Sequence, residues 1–354
     1  MTYLSPAPRS MGLAVASVAT ATLLLLVIGV LGGTVRGQIT SPELSNFALG
    51  TIVVGLIAVA FAAFTSFTAM SLAMRARTQT AAGEILEARA SADVSRQSSL
   101  TTLGSAGAVI IAFALVQLTL LNDGSIQRTF LQWDLIKKSA VDVAGAFLVN
   151  IKLAVIAQVI VLLFGLILAV ARMAPGKAGA PIRFMAVAYI DLMRAVPAVI
   201  VLYLIGFGLP LTNLPFISSL SADWFAILAL SLTYSAYVAE IYRSGIDSIH
   251  PSQWSASRSL GFSYAQTLQF FILPQAIRLV IPPLLSAFIA LQKDTSLVNV
   301  IGTLDAFNQA KFYASASFNL SSVTVVAILF VLITIPQTRY VDWMLNRAVK
   351  RRRA

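Results

Sequence analysis

Residues 252–274 read SQWSASRSLGFSYAQTLQFFILP, a polar stretch that lies between two apolar runs. A short helix fits its first half, because Ser252 suits an N-cap and Gly261 suits the left-handed position that ends a helix. Small side chains such as those of Ala256 and Ser257 would let this helix approach another protein's backbone closely. The pattern predicts a docking site for a second protein, and the alternative interpretation is a loop that lies on the lipid headgroups.

The second half of the same stretch carries its own helix signal. Ser263 and Gln266 have the spacing of a capping box, which predicts a second short helix over residues 264–271. Leu273-Pro274 then ends the loop and returns the chain to an apolar run. Two short helices that meet at a glycine predict a compact knob.

The composition around this stretch is that of a membrane protein. The chain has 354 residues, of which 58% are hydrophobic and only 11% are charged, and its mean hydropathy is +0.85. It contains no cysteine and one histidine, so disulfides, thiolate metal sites and a histidine-built metal centre are not expected. The formal charge of +11 fits a membrane protein better than a nucleic-acid binder, because no basic face interleaves with aromatic residues.

An apolar run of about 20 residues is needed to cross the hydrocarbon core. Eight runs qualify, and we interpret the first as a retained helix rather than a signal peptide. The seventh is interrupted by Pro282 and Pro283, which a membrane helix tolerates when neighbours satisfy the freed carbonyls. The predicted spans are Met11–Leu31, Phe47–Met74, Leu103–Leu121, Phe147–Ala171, Phe184–Leu209, Trp224–Ile241, Ile277–Leu291 and Val323–Pro336.

The positions of the basic residues predict the orientation. With eight spans and a cytoplasmic amino terminus, most of the 25 Lys and Arg residues fall on the cytoplasmic side, as the positive-inside rule requires. Both termini and the knob are then cytoplasmic. We expect an all-α polytopic membrane protein.

The chain divides into three predicted parts. Residues 1–142 give three spans and a polar segment, residues 75–102, that we expect to form a cytoplasmic helical hairpin. Residues 143–348 give five spans and every distinctive motif, and residues 349–354 form a basic tail. An amphipathic stretch around residues 130–143 is expected on the outer side.

The motifs of the second part resemble those of a known family, the membrane subunits of type I ABC importers, and in particular the polar amino acid permeases. That family's loop carries Glu-Ala-Ala-x3-Gly-x9-Ile-x-Leu-Pro, and four positions match it here: Ala256, Gly261, Leu273 and Pro274. Ser255, Ser257 and Phe271 replace the acid, the second alanine and the isoleucine. The segments 236–246, 291–302 and 191–197 resemble the same family's flanking segments.

The resemblance implies a five-helix permease core that is driven by a separate ATP-binding subunit, with two copies per assembly docked on residues 252–271. It also implies a second permease subunit, identical or different, an extracytoplasmic solute-binding protein, a polar amino acid as substrate, and a bacterial inner-membrane location. This chain has no phosphate-binding Gly-x4-Gly-Lys-Ser/Thr loop, so ATP and Mg are expected on the partner and no cofactor or catalytic residue on this chain.

Charged residues near the spans are candidates for the transport path or for structural ion pairs, because an ionised group is costly inside a membrane. Three pairs stand out, two with the spacing of neighbours on one helix face and one of adjacent residues. They are Asp191 with Arg194, Glu240 with Arg243, and Lys293 with Asp294. For the function as a whole, a self-contained ion-coupled carrier or channel is the alternative, and a membrane enzyme is a third possibility.

Overall fold

The computed structural model describes residues 9–215, 217 and 219–353, with side chains as far as Arg347. Within these residues the protein is built of helices and contains no strand, which confirms the all-α expectation. It divides into two compact units, one ending at Gln132 and one beginning at Trp133. The expected boundary at residue 142 falls inside a helix that begins at Trp133.

The amino-terminal unit consists of three long helices, α1 (Met11–Gly37), α2 (Pro42–Ala81) and α3 (Ile85–Phe130). Their contact faces are made largely of small residues, as shown by buried Ala62, Ala69 and Ala76 on α2. Small residues allow helix backbones to approach closely in a membrane, where lipid competes with ordinary apolar packing. A tight turn joins α2 to α3, so the polar segment 75–102 does form a helical hairpin.

The α3 helix is interrupted near its end. Asn122, Asp123 and Gly124 all have positive φ values, which places the break one residue after the predicted end of the third span. The Asp123 carboxylate accepts hydrogen bonds from the backbone N–H groups of Thr40 and Ser41, each at 3.2 Å. The break in α3 therefore holds the turn that leads into α2.

The carboxy-terminal unit begins with α4 (Trp133–Arg172), which at 40 residues is about 60 Å long. The stretch expected to be a separate amphipathic segment, around residues 130–143, is largely the first part of this helix. A bent pair follows, formed by α5 (Ala180–Ala195) and a second arm over Ala198–Leu211, with an angle of 102° between them. The second arm comprises α6 (Ala198–Tyr203), a π-helical turn (Leu204–Gly208) and α7 (Leu209–Leu211). Pro197 lies at the bend, where a proline disfavours helical geometry in the residue before it.

The remaining helices complete this unit. They are α8 (Ala222–Asp247), α9 (Pro251–Ser259), α10 (Tyr264–Gln266), α11 (Leu273–Asp294), α12 (Ala306–Ser317) and α13 (Ser321–Arg353). A π-helical turn (Thr267–Ile272) joins α10 to α11, and a 3-10 helix (Thr295–Ile301) follows α11. The core gathers side chains from α4, α6, α8 and α11, including Leu153, Leu202, Leu230 and Leu291, all essentially buried.

Six helical stretches of the described residues are long and apolar enough to cross a membrane, and the bent pair would make seven. One of the six covers residues 85–172, because only residues 131 and 132 separate α3 from α4 along the sequence. The chain is thus a polytopic membrane protein, and eight spans with both termini inside remain a prediction.

Candidate functional site

The knob (residues 251–272) begins at α9, and its cap differs from the predicted one. His250, not Ser252, is the N-cap residue: its Nδ1 accepts the Ser252 backbone N–H at 3.2 Å. Pro251 occupies the first helical position, where its missing N–H costs nothing. Ser252 is therefore the second residue of the helix, two positions after the cap, and His250 takes the capping role.

The two features predicted from glycine and capping-box patterns are present. Gly261 has φ +84°, in the left-handed region, and its Cα faces open space. Ser263 and Gln266 form the reciprocal capping box, with Ser263 N–H donating to Gln266 Oε1 at 2.9 Å. These local contacts set the angle between the two short helices.

The inside of the knob is held by Ser257, one of the small residues expected on the docking face. Ser257 is 2% exposed, and its hydroxyl donates to Thr267 Oγ1 at 3.2 Å. Trp254 stacks on Tyr264 with ring centroids 5.3 Å apart. Ser257 therefore joins the two halves of the knob, and the expectation that it forms part of the outward face is wrong.

The outward surface of the knob is formed by other residues. Ser255 and Ala256 are exposed, and Leu260 beside Gly261 is 74% exposed. Pro274 is exposed and Leu273 is partly buried, because both belong to the start of α11. Of the predicted docking residues, the structure brings Ser255, Ala256 and Gly261 together on the surface.

The predicted end of the second short helix is also different. The backbone stays helical from Tyr264 to Asp294, passing through the π-helical turn into α11. A π turn shifts the hydrogen-bond register, which accommodates the missing N–H and the ring of Pro274. Leu273-Pro274 thus changes the type of helix without ending it.

A cluster of four charged side chains lies near the carboxy-terminal end of α8, the end that leads into the knob. Glu240 contacts Arg172 from α4, Arg243 one turn later at 3.1 Å, and Arg194 from α5 at 3.9 Å. The Glu240–Arg243 pair has the geometry that its spacing predicts. The pair expected between Asp191 and Arg194 is not formed, because Arg194 turns towards Glu240 and Asp191 is exposed. Spacing along the helix could not predict a partner such as Arg172, which precedes Glu240 by 68 residues in the sequence.

Asp294 and Arg194 both line a cleft of about 720 Å³. The Tyr234 hydroxyl donates to Asp294 Oδ2 at 2.7 Å, and the Arg194 guanidinium lies 5.8 Å from the centre of the Tyr237 ring. Glu240 lines one part of the wall, whereas Lys293 is exposed elsewhere. The cleft therefore offers both a cation and an anion, set among aromatic rings.

A second polar centre ties α4 to α12. Asn150 is fully buried, donates to Asp305 Oδ2 at 3.0 Å and accepts the Ala306 backbone N–H at 3.0 Å. Asp305 caps α12 by accepting the Asn308 N–H at 2.9 Å, and burial raises the pKa of this carboxyl above its usual value. No sequence motif indicated this centre, because its members are about 150 residues apart.

Comparison with known proteins gives matches over the carboxy-terminal unit. The family described as "Binding-protein-dependent transport system inner membrane component" matches residues 161–353. The probable glutamine ABC transporter permease protein GlnM of Bacillus subtilis (strain 168) is 34% identical over 171 residues, covering 48% of this chain and 77% of that relative. The glutamate/aspartate import permease protein GltK of Escherichia coli O6:H1 is 38% identical over 189 residues, 50% of this chain and 80% of that relative.

A solved structure agrees with these relatives. A chain of the crystal structure of "an amino acid ABC transporter with histidines" has 30% identity and a TM-score of 0.55, and the alignment covers 62% of this chain and 98% of the other. The fold, the family pattern and the sequence relatives therefore point the same way. This chain belongs to the binding-protein-dependent transport system inner membrane component family, and it is the permease subunit of an ABC importer of the bacterial inner membrane, a transport component rather than an enzyme.

Proposed function

We propose that this permease carries a polar amino acid inward, and that ATP hydrolysis in a separate subunit docked on the knob drives the movement. Three relatives support the substrate class, since their names specify glutamine, glutamate or aspartate, and amino acids in general. The observation that carries the mechanism is the unbroken helical path from the knob to Asp294 in the cleft. Force applied at the knob then reaches the cleft without crossing a flexible loop.

The outer face of the knob is where we propose that the ATP-binding subunit docks. Leu260 at 74% exposure is the apolar anchor, and Ser255 and Ala256 leave room for close approach of a backbone. Ser255 replaces the acid of the family pattern and accepts the Ser259 hydroxyl through its carbonyl at 2.9 Å. Docking on this chain therefore relies on shape and apolar contact rather than on a carboxylate at that position.

The cleft is where we propose that the substrate passes. An amino acid carries a carboxylate and an ammonium group, and Arg194 and Asp294 offer one charge of each kind within the same 720 Å³. Aromatic Tyr234 and Tyr237 can cover the substrate's stem. Because the cleft carries one positive and one negative group, its charges do not by themselves favour a substrate with an acidic or a basic side chain.

The assembly follows from the family. Importers of this kind work with an ATP-binding subunit, which holds ATP and Mg, and with a solute-binding protein. We propose two ATP-binding subunits and a second permease subunit, identical or different, because five spans rarely enclose a path alone. We further propose residues 143–348 as the permease core, residues 1–142 as an extension, and residues 349–354 as a cytoplasmic tail, with eight spans in all.

Reconstitution into liposomes tests the proposal. The full chain with its ATP-binding subunit and solute-binding protein should take up radiolabelled amino acid only when ATP is supplied. Asp294→Asn should lower uptake at least tenfold, whereas the neighbouring Lys293→Gln, which lies outside the cleft, should change it less than twofold. Transport by the purified chain alone in an ion gradient would instead support the carrier alternative.

A further inference from the structure

A groove of about 710 Å³ lies beside the knob, between α11 and α13. On each helix four of the lining residues follow the i, i+3, i+4, i+7 spacing of a single face, and Ile281 of α11 lines the groove in addition. The two sets are Gln275, Arg278, Leu279 and Pro282 on α11, and Tyr340, Trp343, Met344 and Arg347 on α13. The end of the groove is closed by His250 and Gln253 from the start of α9. The groove is thus a built feature of two facing helices rather than a gap in a loop.

The lining of this groove has one sign of charge. It contains the guanidinium groups of Arg278 and Arg347, two glutamine amides and one imidazole, and none of its residues is a carboxylate. Two carboxylates adjoin lining residues in the sequence: Asp342 pairs with Arg339 at 3.8 Å, and Asp247 pairs with Arg243 at 2.5 Å. None of these four residues lines the groove. Because His250 Nδ1 accepts from Ser252, the neutral ring keeps its donor on Nε2. The groove therefore supplies donors and positive charge for an anion.

The position of the groove along α13 indicates which anion. The apolar part of that helix ends near Pro336, and Tyr340 and Trp343 follow directly, both more than half exposed. Trp and Tyr are the residues that settle at the headgroup level of a bilayer. Arg347 lies over the Trp343 ring at 5.2 Å, and the sequence continues into Lys350-Arg351-Arg352-Arg353. Basic clusters at the end of a membrane helix attract anionic lipids.

We propose that this groove binds the phosphate of an anionic phospholipid, with Arg278 and Arg347 as its two ligands and Trp343 beside the glycerol. The lipid would sit against both the knob and α13, so that the headgroup layer contacts the element on which the ATP-binding subunit is proposed to dock. This inference does not depend on which amino acid is carried. The proposed transport function can hold even if the lipid site is absent.

Native mass spectrometry of the assembled transporter, titrated with phosphatidylglycerol or phosphatidylcholine, tests the site. Each arginine near an anionic surface is worth about a fivefold change in binding. Arg278→Gln combined with Arg347→Gln should therefore weaken phosphatidylglycerol binding about 25-fold. The matched control is Arg339→Gln, which removes the same charge from α13 outside the groove and should change binding less than twofold. Equal loss in the double variant and in the control overturns the proposal.

Four further comparisons decide the remaining outcomes. A double arginine-to-lysine variant keeps both charges and should bind within about fivefold of the parent, so a loss as large as that of the glutamine variant overturns a charge-based site. Phosphatidylcholine bound as well as phosphatidylglycerol overturns the preference for an anion. If millimolar inorganic phosphate displaces all of the lipid, the occupant is a soluble anion and the proposal of a lipid site is overturned. Binding by the free permease that is lost in the assembled transporter overturns it as well.

Discussion

The two units of this chain pack their helices in different ways. In the amino-terminal unit, small residues recur at every seventh position of α2, as Ala48, Gly55, Ala62, Ala69 and Ala76. A seven-residue repeat keeps one seam of a helix on its neighbours over its whole length, as in a coiled coil. Within its described residues this unit has no π-helical or 3-10 segment.

The carboxy-terminal unit has irregular helical geometry at the knob and beside the cleft. A proline marks the 102° bend before α6, a π turn precedes α11, and a 3-10 helix follows Asp294. Its charged residues contact one another across helices, as Glu240 does with Arg172. The amino-terminal unit thus repeats a single small-residue contact along α2, whereas the π-helical and 3-10 turns of the described residues and the cross-helix ion contacts of Glu240 all lie in the carboxy-terminal unit.

The largest expected difference between the units is in ATP-driven uptake after substitution of two matched glycines. Gly261 in the knob and Gly83 in the α2–α3 turn have φ values of +84° and +86°, and each faces open space. Proline fixes φ near −65°, so it cannot adopt either conformation. Gly261→Pro should lower ATP-driven uptake more than tenfold, and Gly83→Pro less than threefold. Uptake assays on matched amounts of assembled transporter measure both, and equal losses would contradict the role given to the knob.

The second prediction compares an ion cluster in each unit. Glu240→Gln leaves three guanidinium groups around an uncharged amide. Because these side chains are partly exposed, losing their charge-assisted contacts should cost about 3 kcal/mol of unfolding free energy. Asp123→Asn removes one carboxylate contact of Arg128, which is mostly exposed. Asparagine tolerates the positive φ, and its Oδ1 can still accept the Thr40 and Ser41 N–H groups. The midpoint temperature of thermal unfolding in detergent should therefore fall sharply for Glu240→Gln and much less for Asp123→Asn. A similar drop in both would show that the cluster around Glu240 is not special.

The third prediction uses two fully buried amides. Asn150→Leu leaves Asp305 and the Ala306 N–H without the amide, at a cost of about 2–3 kcal/mol. Gln117 donates to Thr51 Oγ1 at 3.0 Å, and its own Oε1 has no partner among the described residues. Gln117→Met should therefore cost less than about 1 kcal/mol, since average interhelical hydrogen bonds in membranes are weak. Denaturant titrations compare the two, and a reversed order would refute the assignment of Asn150 as a tie between α4 and α12.

The smallest expected effect concerns Asp305 and pH. Burial raises the pKa of this carboxyl above its ordinary 3.8, so the folded protein binds the proton more tightly than the unfolded chain. The corresponding stability is present below pH 3.8 and is lost as pH rises through the raised pKa. Asp305→Asn should remove that dependence. Because asparagine has a single acceptor oxygen for the Asn150 amide and the Asn308 N–H, it should also lower the unfolding free energy by a similar amount at every pH. Unfolding curves from pH 4 to 7 measure it, and an unchanged slope in the variant would count against the effect.

Sequence patterns predicted those parts of the fold that depend on neighbours along the chain. The left-handed glycine at position 261 and the capping box at Ser263 are contacts over three residues or fewer, and both are present. The seven-residue repeat of α2 is equally local, and counting small residues at that period would have indicated the coiled packing of the amino-terminal unit. The family resemblance covered the other unit because its loop pattern is specific.

What the sequence did not predict depends on distant partners or on competition between neighbours. Arg194 has an acid three residues before it, yet it turns to Glu240, which also attracts Arg172 and Arg243. His250 takes the capping role from Ser252 because Pro251 fixes where the helix begins. Ser257 is small, which suggested an outward face, but its hydroxyl is drawn inward by Thr267.

The helical path from Tyr264 to Asp294 gives the molecule a lever about 45 Å long. A tilt of about 5° at the knob would displace the far end by roughly 4 Å, more than the length of a hydrogen bond. The Tyr234–Asp294 contact at that end would then be made or broken by a rotation too small to disturb the knob's own packing. If the ATP-binding subunit docks on the knob as proposed, this lever would convert a small movement of that subunit into a larger displacement at the cleft.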